Sequence, residues 1–482
     1  MAKDSGRRAF LQYSVVAAVG AAAALYSLTS LNVIKISTLE DFLQKKQVAG
    51  QMAESSSIPH LLRRAGFGAD PDELAMYERM GFDTVVNHLV NYQTIDNSMV
   101  AARPYIVLSY KNSQYDDLDT IQWWWLNRMV NTQRPLEEKM TLFWHNHFAT
   151  AFSKVDNPYL MYVQNEFLRK NALGNFKDLL LGITSDPAML IWLDGNYSSK
   201  GNPNENYARE VMEVFSTGRG PYTEDDVKAG ARAFTGYRVN DDGTSGFDED
   251  DHDAGKKTFL GQTGYFGPED IINILVPHPA TASNLATELF SYFAYPFPSD
   301  ETVGKLAQVY LDSKYSIRAL VEAIFKSDEF RSTDAYLAQV KSPVEFVATA
   351  LRSTRATTDQ GSTLDSLSYM GQTLLDPPTV FGWPSGMGWI DSASIFERYN
   401  FPLRLQTTQE DGASRLDSGV VYPSGQPSPA GVGALAGSLF PDGFPQEYLS
   451  VVQNSVTNYN DPVAGTKDAL RLIMASPFYL LN

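Results

Sequence analysis

Residues 135–155 read PLEEKMTLFWHNHFATAFSKV and combine a clear helical pattern with the densest group of histidines in the chain. The apolar positions recur at i, i+4, i+7 and i+8, the spacing of one buried helical face, and are Leu136, Met140, Phe143 and Trp144. Two of the six histidines, His145 and His147, follow at once. On a continuing helix, residues two apart point to nearly opposite sides. Either the helix ends near His145, or only one of the two histidines serves a site.

The composition is that of an ordinary globular protein, with 482 residues, 43% hydrophobic residues and 20% charged residues. This length is sufficient for a large core and for roughly one to three domains. Cysteine is absent, which excludes disulfides, thiolate catalysis and cysteine-ligated metals, so a transition-metal site must use His, Asp and Glu. The formal net charge of −17 argues against binding nucleic acid or anionic lipid.

The N-terminal segment resembles an export signal of the twin-arginine type. Arg7 and Arg8 precede an alanine-rich, weakly apolar run. We expect residues 1–36 to be a signal or a retained anchor, because small residues at 22–24 offer a cleavage site while apolar residues continue beyond them. Residues 37–57 form a polar connector. The expected location is the periplasm or cell envelope, with membrane contact only through this segment if it is uncleaved.

The remainder of the chain predicts a mainly α protein. Apolar-periodic segments with capping residues recur, whereas convincing strand patterns are scarce, so we expect a multi-helix globular domain with long irregular loops and at most a small β-hairpin. The main helical domain is predicted over residues 58–410. Residues 411–445 are rich in Gly, Ser and Pro and predict a flexible or irregular connector. Helices within residues 446–482 are expected to pack on the main domain.

A second informative stretch is GNPNENYAREVMEVFSTG, residues 201–218. Asn202 is the expected N-cap of its helix. Asn206, Glu210 and Glu213 fall at i, i+4 and i+7, so one helical stripe carries an amide and two carboxylates. The two carboxylates repel each other unless a cation or a basic side chain lies between them. A solvated helix face explains the same stripe without any chemistry.

The most acidic segment is NDDGTSGFDEDDHD, residues 240–253. Its Gly, Asp and Asn content predicts turns and a short hairpin. The spacing fails the EF-hand pattern because Arg238 occupies the position of the first ligand, so a solvated acidic loop is favoured over a calcium site. His252 and Asp253 stand apart from their neighbours, because an imidazole beside carboxylates can be a ligand, a base or an ion-pair partner.

Two further groups of residues leave their roles open. Arg63 and Arg64 are either ion-paired or anion-binding, and nothing in their local sequence decides between these roles. The row of three tryptophans at 123–125 cannot lie on one helical face, so some of them contact another element or line a cleft.

The motifs together resemble a bacterial family known as domain of unknown function 1800. The resemblance spans roughly residues 58–405 and rests on HLLRRAGFGADPDEL, EKMTLFWHNHFATAFSKV, NPNENYAREVMEVFSTG, YTEDDVKAGARAFTGY, HDAGKKTFLGQTG, HPATA, KSPVEFV and PPTVFGWPSGMGWI. It implies a mainly helical exported protein of unassigned reaction. It also implies, as a partner, a second exported family that resembles alkaline phosphatases and sulfatases. The acidic insertion around residues 241–251 is longer than the pattern of that family.

The first functional hypothesis is a metal-dependent hydrolase with a His/carboxylate site. Its metal ligands would be His145, His147, Glu210 and His252, and its general base or supporting carboxylate would be Glu213 or Asp253. Nitrogen and oxygen donors of this kind suit Zn, Mn, Fe or Ni, and a metal-activated water would make hydrolysis the natural reaction.

The alternative hypothesis is a non-catalytic helical scaffold that binds an envelope polymer or a partner protein through its aromatic loops. Metal-free acid–base catalysis on a glycan by Glu210 and Glu213 ranks last. Adjacent turns of one helix hold the two carboxylates on one side, where they cannot flank a sugar ring.

Overall fold

The computed structural model describes residues 57–105, 109–114, 117–405, 416 and 418–482. The predicted export signal and nearly all of the polar connector lie outside these residues. Helices α1 to α11 precede the first strand and cover, in order, Ser57–Ala65, Pro71–Met80, Phe82–Val90, Asp117–Asn131, Pro135–His147, Phe152–Val155, Pro158–Lys170, Phe176–Thr184, Pro187–Trp192, Glu205–Glu213 and Glu224–Ala233. Helices α12 to α23 follow the last strand and cover Pro268–Leu275, Pro279–Phe293, Asp300–Asp312, Ile317–Lys326, Pro343–Thr354, Gln360–Tyr369, Ser392–Asn400, Ser418–Val421, Pro429–Leu439, Gln446–Val456, Pro462–Met474 and Pro477–Leu480.

The strands form two antiparallel hairpins. In the first, β1 (Tyr237–Val239) pairs with β2 (Ser245–Phe247), and in the second, β3 (Lys257–Phe259) pairs with β4 (Gln262–Gly264). Because the strands are this short and helices are the predominant elements of the described residues, the mainly α prediction is confirmed.

Side-chain caps fix where many helices begin. Asp70 caps α2, and its side chain accepts hydrogen bonds from the second and third residues of the helix. The expected cap at Asn202 is wrong: the N-cap of α10 is Asn204, whose side chain accepts from Asn206 N. Asn202 instead closes a tight turn, in which its N–H donates to the Ser199 carbonyl at 2.9 Å.

Helix α5 lies between two hydrophobic clusters. Met140, Phe143 and Trp144 belong to the cluster built mainly from α1 to α3 and α8 to α15, whereas Leu142 belongs to the cluster formed with α4, α16 and the C-terminal helices. Of its thirteen residues, twelve are buried. A helix that is covered on all sides needs a partner for every charged side chain it carries.

The predicted connector at 411–445 is helical in part, so that prediction is wrong for α20. Val432, Leu435 and Leu439 are buried, and the helix contacts α16, α21 and α22. The Gly, Ser and Pro content, which we interpreted as a sign of irregular structure, does not prevent the helix, because its apolar residues are buried against these neighbours. The proposed division of the chain into domains stays a prediction.

Within the described part of the chain, no helix is both long enough and apolar enough to cross a membrane.

Candidate functional site

Helix α5 continues without a break through His147, so the two histidines face different parts of the protein. The His145 ring lies 5.4 Å from the rings of Trp125 and Trp383, measured between centroids. The His147 ring lies 4.6 Å from that of Phe148, in the other hydrophobic cluster. The structure therefore does not aim both imidazoles at one point.

His145 is fully buried and has no hydrogen-bond partner in the described residues at either ring nitrogen. Burial in this aromatic environment lowers its pKa to about 3. The neutral imidazole thus fills a gap between two indoles as an aromatic ring would.

Both nitrogens of His147 contact oxygen atoms of the protein. Nδ1 lies 2.8 Å from Glu288 Oε2, and Nε2 lies 3.3 Å from the Phe215 carbonyl oxygen. Asn284 Nδ2 donates to the other oxygen of Glu288 at 3.1 Å and to the Ser216 carbonyl at 3.1 Å. This network ties the end of α5 to α13 and uses both imidazole nitrogens.

The middle residue of the triplet holds a loop in place. Asn146 Oδ1 accepts a hydrogen bond from Trp383 N at 2.7 Å. The preceding residue, Gly382, has a φ of +77°, and a Cβ there would lie 2.3 Å from Asn146 Oδ1. Only glycine allows this approach, so the Trp- and Gly-rich segment following Pro378 docks on the end of α5.

The carboxylate stripe of α10 is half-buried, and the environments of its two acids differ. Burial, followed by repulsion from Glu213, raises the pKa of Glu210, whose Oε2 is buried without a hydrogen-bond partner in the described residues. A hydrogen bond from Tyr222 lowers the pKa of Glu213, with help from Arg219. Tyr222 Oη and Arg219 Nε donate to Glu213 at 2.7 and 2.5 Å. Two carboxyl groups with opposite pKa shifts are a pattern found in acid–base sites.

His252 and Asp253 have structural partners at the base of the first hairpin. His252 Nδ1 lies 3.0 Å from the Thr235 carbonyl. Asp253 accepts from Arg232 Nε at 2.6 Å and from Gly255 N at 2.8 Å. The hydrogen bond from Arg232 is the main cause of the lowered pKa of Asp253. Asp253 is thus an ion-pair partner that closes the acidic segment onto α11.

The six predicted site residues therefore make different contacts and are not drawn to one metal-binding group. Among the residues described here, no group of three or more His, Asp or Glu side chains is arranged to hold a metal ion. Glu210 and Glu213 remain together, one turn apart on α10, and the others are engaged elsewhere.

A larger group of buried titratable side chains lies elsewhere, and we call it the buried junction. It consists of five basic residues and one carboxylate. These are Arg63 and Arg64 of α1, Lys139 of α5, Lys341, which lies two residues before α16, Glu345 of α16 and Arg398 of α18. None of the six is more than 9% exposed. They interact electrostatically with one another, and Glu345 faces Lys139, Arg64, Lys341 and Arg398.

Glu345 is the central acceptor of the junction. Its Oε1 pairs with Lys139 Nζ, and its Oε2 accepts from Ser342 N at 2.7 Å as part of the cap of α16. Burial alone would raise the pKa of Glu345, but Lys139 and Arg64 outweigh that effect and hold it below its ordinary value. The carboxylate is therefore kept ionised inside the protein.

The remaining cations are held mainly by backbone carbonyls. Arg64 donates to the carbonyls of Phe293 and Tyr292 at 2.7 and 2.6 Å. Lys341 Nζ donates to the carbonyls of Tyr479 and Leu481 at 2.6 and 3.0 Å and lies over the Tyr479 ring. Burial lowers the pKa of Lys341 well below its ordinary value, and neighbouring Arg63 adds to that shift.

Sequence reasoning left this group without a role. The sequence did not decide whether Arg63 and Arg64 form ion pairs or bind an anion. The other residues of the junction lie about 75 to 335 residues further along the chain. One signal was visible: a lysine and a glutamate stand in otherwise apolar, buried-type stretches, at EKMTLFW and KSPVEFV. Charges in such positions indicate buried pairing.

A surface pocket of about 340 Å³ lies between α2, α4 and α16. Arg352 Nη2 pairs with Glu73 at 2.6 Å, and Arg355 Nη2 pairs with Asp70 at 2.8 Å. The charges of its walls thus compensate each other, and the pocket has no distinct chemical preference.

Comparison with known families gives one match. The family model described as "Protein of unknown function (DUF1800)" matches residues 60–481. No curated protein and no solved structure matches the chain.

Proposed function

This chain belongs to the DUF1800 family, and we propose that it is a non-catalytic helical scaffold of the cell envelope that binds an envelope polymer or a partner protein. The partner suggested by the family resemblance is an exported protein similar to alkaline phosphatases and sulfatases. Residues 1–36 would direct export by the twin-arginine route.

The observation that carries this proposal is the burial of the charged residues in three motifs. Arg63 and Arg64, Lys139, and Lys341 with Glu345 all lie in the junction, where each is 9% exposed or less. A substrate has no access to groups so deeply covered, and buried charges of this kind are costly unless they are paired. Their function is therefore to hold α1, α5 and α16 together.

The environments of the predicted metal ligands support the same proposal. His147 is hydrogen-bonded to Glu288, His252 to the Thr235 carbonyl, and His145 is enclosed by indoles. Residues that hold a metal are usually oriented by hydrogen bonds from behind while one donor atom stays free. Both ring nitrogens of His145 are without a partner in the described residues, but no carboxylate contributes to the shift of its pKa. The contacts of His252 use Nδ1 alone.

A contact surface is suggested by exposed apolar side chains on three mutually contacting elements. These elements are α17, α18 and the 3-10 helix Phe401–Arg404. Tyr369, Phe396 and Leu403 are exposed on them at 64%, 68% and 40%. Large exposed apolar groups on neighbouring elements are typical of binding surfaces.

The environment of Glu210 supports a metal-dependent hydrolase as a second candidate function. Its raised pKa and its unpartnered oxygen are features of catalytic carboxyls, and Glu213 beside it stays ionised. To bind a metal at this helix, the surrounding side chains would have to rearrange and supply further ligands.

Metal analysis separates the two candidates. We expect full-length protein purified from the envelope fraction to contain no stoichiometric Zn, Mn, Fe or Ni, and His145→Ala and Glu210→Ala to be indistinguishable from the parent in metal content. His88→Ala is the matched control, because His88 lies outside the predicted site and packs on Tyr77. One metal ion per chain that is lost in both test variants and kept in the control would favour the hydrolase.

Complementation of cells that lack the gene tests the scaffold directly. We expect Glu210→Gln to complement like the wild type, because no reaction depends on the carboxyl. Phe396→Ser should fail while its melting temperature stays unchanged, and Tyr265→Ser, an equally exposed aromatic beyond β4, should complement. The opposite pattern, a folded Glu210→Gln that fails and a Phe396→Ser that succeeds, would refute the scaffold.

A further inference from the structure

We propose that the buried junction holds a small monovalent anion, of the size and charge of a halide, at Arg398 Nη1 beside Lys341. This anion would be a structural component of the fold, and the inference does not depend on the proposed function.

The charges of the side chains in and around the junction do not balance. Five basic side chains meet two buried carboxylates, Glu345 and Asp442, the latter paired with Arg63. Loss of a proton can neutralise a lysine, but three of the five cations are arginines, which stay protonated in proteins. Burial lowers the pKa of Arg64 and Arg398 only to about 10. At least one positive charge therefore remains uncompensated, whatever the state of the lysines.

Two arginines of the junction have buried nitrogens without a hydrogen-bond partner in the described residues, but Arg63 is ion-paired with Asp442, whereas Arg398 has no ion-pair partner there. Its Nε donates to Ser394 Oγ at 3.2 Å and its Nη2 to the Lys341 carbonyl at 2.9 Å. Nη1 is buried and has no hydrogen-bond partner among the described residues. A carboxylate that also influences Arg398, Asp391, is exposed and caps α18 by accepting from Ser394 N at 2.8 Å. A buried guanidinium nitrogen without an acceptor is costly, and an anion satisfies it.

Lys341 supplies the second attractive group. Its ammonium is repelled by the positive charges of Arg63 and Arg398, and two of its three N–H groups donate hydrogen bonds to backbone carbonyls. An anion near the third N–H would reduce the repulsion among these cations, which is strong in a medium of low dielectric.

The surroundings favour a compact anion. The Arg398 guanidinium lies 5.1 Å from the centre of the Phe346 ring, and the Lys341 ammonium lies 4.3 Å from that of Tyr479. Both rings are buried. With a ring close to each cation, a compact anion is favoured, because a halide needs only the space of about one water molecule.

Anion content and anion-dependent stability test the proposal. Full-length protein is desalted into sodium gluconate and denatured, and the released chloride is measured by ion chromatography. We expect one chloride per chain, replaced by bromide after unfolding and refolding in sodium bromide. At equal ionic strength, chloride at about 100 times its Kd should raise the melting temperature by about 2–4 °C relative to gluconate, with saturation.

Two variants separate a bound anion from a general salt effect. Arg398→Lys keeps the charge but removes the Nη1 donor, and we expect it to release no chloride and to melt at the same temperature in both salts. Arg355→Met, on the surface pair with Asp70, should respond like the wild type. If Arg398→Lys does not fold, the chloride content of the wild type decides alone.

The absence of chloride from the released fraction, or equal melting in both salts, would overturn the proposal.

Discussion

His145, which we predicted as a metal ligand from its chemistry, lies in an aromatic packing environment. Its two ring nitrogens make no hydrogen bond in the described residues, and its neighbours are Trp125 and Trp383. An unsatisfied buried polar group costs free energy, and an apolar group of the same shape can replace it at little cost. The density of histidines in the sequence could not reveal this, because it depends on two tryptophans that are distant along the chain.

Replacement of His145 by Phe should change the pH dependence of stability. The folded protein holds the pKa of His145 at about 3, below that of the unfolded chain, so the unfolded state binds more protons in mildly acidic solution. Lowering the pH from 7 to 5 should therefore cost the wild type about 2 kcal/mol that His145→Phe does not lose. Urea unfolding of both proteins at the two pH values measures this difference. Equal losses in the two proteins would show that His145 is not buried as described.

At the scale of elements, the sequence predicts the helix α5 from its periodicity, but it does not predict which residues of other elements α5 contacts. The spacing of Leu136, Met140 and Phe143 gave the helix correctly, because it is a local property. The side that each histidine faces follows from the continuation of the helix to His147, which the sequence left open. Helix α20 was missed although Val432, Leu435 and Leu439 recur at helical spacing, because the Gly, Ser and Pro content of the surrounding segment outweighed this short pattern.

Two glycine substitutions test the packing of the C-terminal helices. A Cβ at Gly465 of α22 would lie 1.7 Å from Tyr422 Oη, which donates to the Val456 carbonyl at 2.8 Å. We expect Gly465→Ala to cost about 1–3 kcal/mol through displacement of that ring. At Gly437 of α20 nothing lies within 4 Å of such a Cβ, so Gly437→Ala should stabilise by about 0.8–1 kcal/mol. Chemical denaturation measures both changes, and similar effects of the two substitutions would contradict the packing of α22 on Tyr422.

For the molecule as a whole, the motifs converge on the junction rather than on an exposed site. The sequence supplied the components, since HLLRRAGFG, EKMTLFW and KSPVEFV each carry a charged residue in a buried-type stretch. Their meeting point could not be derived, because Arg64, Lys139 and Glu345 are brought together by helix packing over long separations. The same limitation applies to the predicted metal site, which joins residues from separate segments and stays a prediction, since no group of three or more such side chains that could hold a metal ion occurs in the described residues.

The central claim is that these charged residues form a buried structural junction, and a double-mutant cycle on Lys139 and Glu345 tests it most directly. Unfolding free energies are measured for Lys139→Met, Glu345→Gln and the double variant, with the exposed pair Arg209 and Glu224 as control. We predict that each single substitution in the junction costs about 3–5 kcal/mol and that the double costs at least 1 kcal/mol less than their sum. The control pair should couple by about 0.2–1 kcal/mol. Additive junction substitutions that each cost less than about 0.5 kcal/mol, as surface positions do, would contradict the claim.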